Sequence, residues 1–395
     1  MAVRQIQQDE YNMKIFEITK YNKPILLEAK ARIPHPEDSV FEEGTDGALR
    51  ALEAIAHAAQ NPSVNTVKWD GTPAIIFGRD ENGFILTDKA GFSAKKYDGM
   101  ARSQKMFQDM IFNRKPDEPT RMEYATQIAK LYPMLEKIVP VKFRGFIQGD
   151  IMWMSQPVAH DGIIEIQPLK VKYTIDASSD LGKKIKASKA GIVVHSHFDS
   201  REEEEPRAMT PAEIASLKPS PGLVVLSPVM QIDSVPSFDL AEDDVQSVRN
   251  LITKNKSLVD KFLNPMAIGA LKISNLPDIF KSFLNFKAYR GEDAPTSTEF
   301  LTWLQSPDSN ITANKLQNVL DHINKNKTGF SAVFKIANAL VNLKYALKHH
   351  LDTNASQDAS VVASIRNEPG HEGFVADTPH GKFKIVNRPV FMRKF

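Results

Sequence analysis

The sequence contains no cysteine. That excludes disulfides, thiolate zinc sites and cysteine nucleophiles, and it suits a reducing cytoplasm, the host cytoplasm if the chain is viral. No stretch approaches the roughly 20 apolar residues a membrane span needs. The first ten residues, Met1 to Glu10, lack the apolar core of a secretion signal. Neither a Gly-x-Ser-x-Gly elbow, a Walker loop nor a Gly-x-Gly-x-x-Gly cradle is present. The formal net charge is only +2, so any nucleic-acid surface must be a local patch rather than a global field.

What is present is an ordinary globular composition: 42% hydrophobic and 25% charged residues in a chain of 395. That length allows two domains, or one large domain carrying an insertion. Residues 12–33 read as extended and mixed. A helix is expected over 46–60, where Ala48, Leu52, Ile55 and Ala59 share one face. From Val64 to about Phe198 the pattern is mostly strand-like, with one helix expected over 123–138. Runs at 74–77 and 84–87 flank Asp80-Glu81-Asn82-Gly83 and predict a hairpin. Further strands are expected at 146–152, 163–166, 171–175 and 191–195.

After Asp199 a charged, solvated link, Arg201 to Arg207, leads into apolar residues at helical spacing. Helices are expected over 241–263, 277–286, 313–324 and 331–351, before a short β-like C-terminus. The simplest architecture is an α+β fold: a β-rich body over 1–200 plus 366–395, interrupted by an all-α insertion at 201–365. Lysines of the insertion (Lys254, Lys256, Lys261, Lys272, Lys281, Lys287, Lys325, Lys327, Lys335, Lys344 and Lys348) read as a solvated face. The alternative is a surface that tracks a phosphate backbone.

Four elements carry chemistry. Val67-Lys68-Trp69-Asp70-Gly71 presents a lysine before an acid and a glycine. A pattern with three fixed positions in four arises by chance in roughly one such chain in ten, so its meaning depends on the order of the other three elements. Gln148-Gly149-Asp150-Ile151 places an acid inside an apolar strand. Glu372-Gly373-Phe374-Val375 repeats acid, glycine and apolar residues, and Gly381-Lys382-Phe383-Lys384 sets two lysines on one face of a strand.

In this order the elements resemble the motifs of the covalent nucleotidyltransferases, namely ATP-dependent DNA ligases, RNA ligases and mRNA capping enzymes. The stretch from Lys68 also resembles phage proteins related to RNA ligases. The resemblance implies an antiparallel-sheet adenylation body, ATP with Mg²⁺ or Mn²⁺, and RNA in preference to DNA as partner. Lys68 would attack the α-phosphate, with Asp70 and Gly71 shaping its turn. Lys382 would assist pyrophosphate departure, and Lys384 would contact the α-phosphate. Glu372 and Asp150 would supply oxygen ligands to the cation. Asp150 stands where the family usually has Glu. Phe198 or Tyr173 would stack on the base, Phe198 being the choice here. The chain ends eleven residues after Lys384, so the C-terminal domain of DNA ligases and capping enzymes is not expected. A GTP-using capping type, a DNA ligase and a non-catalytic binding protein are the rival readings.

The chemistry needs these residue types. With an ordinary lysine pKa near 10.4, only about one amine in a thousand is neutral near pH 7.4. Lys382, Lys384 and a divalent cation would favour the neutral form and offset charge on the phosphates. Two look-alikes, Lys170-Val171-Lys172-Tyr173 and Gly191-Ile192-Val193-Val194-His195, occur in the reverse order with Ala190 in place of the acid. They read as structural strands. His195-Ser196-His197 with Asp199 has no identifiable third metal ligand.

Overall fold

The computed structural model describes residues 33–94, 99–114, 119–203, 206–228, 237–238, 240–354, 360–366 and 368–392. The extended reading of residues 12–33 lies almost wholly outside them. Fourteen strands run along the described residues: β1 (Asn65–Lys68), β2 (Ala74–Asp80), β3 (Gly83–Asp88), β4 (Gly145–Trp153), β5 (Ala159–His160), β6 (Ile163–Ile166), β7 (Val171–Asp176), β8 (Ala190–Phe198), β9 (Arg207–Ala208), β10 (Leu223–Leu226), β11 (Val361–Ile365), β12 (Glu368–Pro369), β13 (Gly373–Thr378) and β14 (Gly381–Val386). The fold is mixed α and β, with largely antiparallel sheets in which β8 and β10 run parallel. No helix among the described residues is long and apolar enough to cross a membrane.

The chain divides into two compact units. The first holds Lys68–Val229 and Ser356–His371; the second holds Ile33–Val67, Met230–Ala355 and Glu372–Phe395. This boundary differs from the expected body at 1–200 plus 366–395. Within 201–365, the strands β9, β10 and β11 belong to the first unit and pair with β8 and β7. The four apolar residues Leu223–Leu226 form a strand too short to stand out after a charged link. Conversely, the helix Ser39–Gln60 and the β13–β14 hairpin belong with the helical segment.

In the first unit a mixed sheet runs β10-β8-β4-β2-β3, and a second sheet runs β12-β11-β7-β6-β5. The hairpin expected at 74–87 forms, with Phe77 opposite Leu86 and the turn at Asp80 and Gly83. Alternation sends Ile75, Phe77, Ile147, Ile151, Ile192 and Val194 to one face, where they pack with Phe107, Ile111 and Leu135 from helices Gln104–Asn113 and Tyr132–Ile138. The other face holds a smaller cluster of Ile76, Ile85, Phe92, Phe146 and Phe198. The single helix expected over 123–138 is two, Pro119–Ala129 and Tyr132–Ile138. Pro133 lacks the N–H that a continuous helix would need, so it can stand only in a first turn.

In the second unit, Phe41, Phe262, Phe280, Phe283, Phe300, Phe330 and Phe334 form the largest aromatic cluster, with Phe41 and Phe280 stacked at 5.0 Å. The apolar periodicity of 331–351 belongs to a longer helix, Lys327–Asn354. The helix Ser39–Gln60 breaks at Gly44, whose φ of 64° suits glycine, and a Cβ there would lie 2.8 Å from Asp260 Oδ1. That carboxylate accepts from the Thr45 backbone N–H and hydroxyl. A buried ionic group ties the unit together. Lys344 Nζ meets Glu37 Oε1 at 2.7 Å, and Arg388 meets Asp38 at 2.8 Å.

Candidate functional site

Lys68 is the last residue of β1, and the segment after it is pinned on both sides. Asp70 is 3% exposed. Its Oδ2 accepts the backbone N–H groups of Lys170 at 2.5 Å and Val171 at 2.8 Å, at the start of β7. Its own N–H donates to the Tyr173 hydroxyl at 2.7 Å. Trp69 packs its ring on Tyr173 at 4.8 Å and donates from its indole to Ser227 O. On the other side, Thr72 N–H donates to Ile151 O at 2.8 Å and Ile151 N–H donates to Pro73 O. A Cβ on Gly71 would stand 2.7 Å from Asp150 Cβ and 3.1 Å from Ile151 O. An acid and a glycine are therefore required at these positions by packing: one fastens the segment to β7, the other lets it lie against β4.

Asp150 projects from the same face of β4 as Phe146, away from the helices. Burial pushes its carboxyl up, but His195, Lys68 and Lys89 together hold it below the ordinary aspartate range. His195 Nε2 lies 3.4 Å from Asp150 Oδ2. Burial raises the Asp70 carboxyl, opposed by its two backbone N–H donors and by the charges of Lys68 and Lys170. The structure thus groups Lys68, Asp70, Asp150, Lys89, Lys170 and His195 in one unit. The strands that chain order assigned to structure, around Lys170 and Gly191–His195, contribute two of these residues. Their resemblance to the expected motifs was the sequence signal for them; Lys89 carries none.

The two candidate stacking residues are both buried. Phe198 is 5% exposed and packs against Phe92 and Phe146, so its ring is occupied by the core. Tyr173 is buried beneath Trp69. Glu372, Lys382 and Lys384 belong to the second unit. Glu372 is buried, and Lys382 pairs with Asp377 at 3.0 Å, directly across the β13–β14 hairpin. Lys382 and Lys384 share the half-exposed face of β14, while Phe383 and Ile385 are buried. Among the described residues there is no group of three or more His, Asp or Glu able to hold a metal. Within the first-unit cluster Asp150 is the carboxylate that could meet a cation, with water and substrate oxygens filling other positions, a mode Mg²⁺ accepts.

The lysines of the helical segment are partly consumed by the fold. Lys256 pairs with Asp46 and Asp260, Lys281 with Glu42, Lys287 with Glu292 and Glu299, Lys344 with Glu37, and Lys348 with Asp352.

Fold and site define a two-unit α/β protein with a lysine–carboxylate cluster at the junction of β1 and β2. The chain belongs to a family of unknown function (DUF6267), whose model matches residues 31–394. No curated protein and no solved structure matches it.

Proposed function

We propose that this protein is an ATP-dependent polynucleotide ligase of the RNA-ligase type, with an adenylation fold in its first unit. Lys68 takes AMP from ATP and releases pyrophosphate. The AMP passes to a 5′-phosphate, and a 3′-hydroxyl then displaces it. The observation carrying this reading is the placement of Lys68 on a segment clamped by Asp70 and Gly71, beside the carboxylate of Asp150. Rigid presentation of a nucleophile lowers the entropic part of the barrier.

Lys68 must shed a proton in the presence of two carboxylates. Mg²⁺ carried in with ATP helps meet that demand and neutralises charge on the departing phosphates. Asp150 is the carboxylate in the first unit that fits this cation. Glu372, Lys382 and Lys384 keep the roles that the family resemblance gives them. RNA is favoured over DNA on the same ground.

Incubation with α-labelled ATP and Mg²⁺ should leave label on the denatured protein, and Lys68→Ala should abolish it. Label persisting on that variant would refute Lys68 as the nucleophile. GTP in parallel separates the capping type, and a wild-type chain taking label from neither nucleotide would point to a binding protein.

A further inference from the structure

We propose that His195 is a positioning residue for Asp150, delivered to it by a β-bulge in β8. The inference rests on the reading above, in which Asp150 faces the nucleotide. Across the β4–β8 ladder, Gln148 pairs with Ser196 and Gly149 with Val194, so His195 is the unpaired residue of the bulge. Before it, Ile192 and Val194 point into the helix-covered core. After it, Phe198 lies opposite Phe146 on the other face. The extra residue lets His195 and Ser196 both turn toward the face that carries Asp150, whereas strict alternation would send one of them into the core.

The contacts have a direction. Ser196 Oγ lies 2.7 Å from His195 Nδ1. A hydroxyl donating to Nδ1 leaves the ring proton on Nε2, which stands 3.4 Å from Asp150 Oδ2. At that distance the imidazole faces the carboxylate, and the place of the ring biases the rotamer that Asp150 adopts. The pair is half-exposed, with the His195 side chain 29% and the Asp150 side chain 19% exposed. Without the imidazole, the aspartate side chain would sample other rotamers and the fixed acceptor would be lost.

The test compares His195→Gln, His195→Asn and His195→Ala in the full chain. A glutamine amide nitrogen reaches the place of Nε2; an asparagine nitrogen reaches only that of Nδ1. Labelling kinetics with ATP should show the apparent KM rising about tenfold or more in the Ala and Asn variants, with the rate at saturating ATP little changed and Gln restoring much of the affinity. Equal losses in Gln and Ala, or an unchanged KM in Ala, would overturn the proposal. If the wild-type chain takes no label, the reading of function fails while this contact is still testable. In the ¹⁵N-histidine-labelled chain, the His195 ring signal (identified by its loss in His195→Gln) should shift on Asp150→Asn. An unmoved signal would dismiss the pair.

Discussion

Removing the Asp70 carboxylate gives the sharpest test of how the lysine segment is held. Asp70→Ala leaves the Lys170 and Val171 N–H groups without their acceptor at a position that is 3% exposed. An unsatisfied buried donor costs about 1–3 kcal/mol, so the pair amounts to about 2–6 kcal/mol. Set against a domain stability of about 5–15 kcal/mol, that is a large fraction. With a urea dependence of about 1–3 kcal/mol per molar, the unfolding midpoint should fall by about 2 M. Asp70→Asn keeps an acceptor oxygen but no charge, and because charge-assisted bonds are about twice as strong as neutral ones, it should lose about half as much. The chain has three tryptophans, of which Trp303 lies in the second unit. In a Trp303→Phe background, fluorescence therefore reports the first unit through Trp69 and Trp153. A midpoint unmoved by Asp70→Ala would show that the clamp contributes nothing.

Two other perturbations test the electrostatics. Lys344→Ala leaves Glu37 buried with one fewer cation, and breaking such a pair should cost about 3–5 kcal/mol, read as an early loss of helical circular dichroism on heating; an unshifted melt would contradict it. Glu213 is held well below the ordinary glutamate range by its hydrogen bonds to Arg207, with burial opposing. A depressed carboxylate contributes stability that is full above its unfolded pKa and is lost as pH falls toward the folded value. The unfolding free energy of Glu213→Gln from urea titration should therefore lie below that of wild type at pH 7, by on the order of 1 kcal/mol after solvent screening, and converge with it in acid. A gap that widened in acid would reverse the sign of the argument.

Local pattern was enough to reveal the elements with one strong period. The strand at 163–166 and the long helix Lys327–Asn354 are visible because one side of each must be apolar, and the hairpin at 74–87 because two apolar runs, buried on both faces, flank a turn. The lysine, acid and glycine of the 68–71 segment were also legible as an unusual combination. Their packing was not, because the donors that Asp70 accepts lie a hundred residues away at the start of β7.

Tertiary structure alone decided which residues gather around Asp70 and Asp150. Sequence order favoured Glu372, Lys382 and Lys384 and read Lys170 and His195 as scaffold. Pairing β4 with β8 and fastening Asp70 to β7 placed those scaffold residues in the first-unit cluster as well, while β1, which ends at Lys68, pairs with β13 in the β1-β13-β14 sheet. The division between units obeyed the same logic: the brief strands β9, β10 and β11 are defined by the neighbours they pair with. A short strand has too few residues to show a period, and a bulge breaks the period where it occurs, so only the completed ladder fixes which face such a side chain occupies.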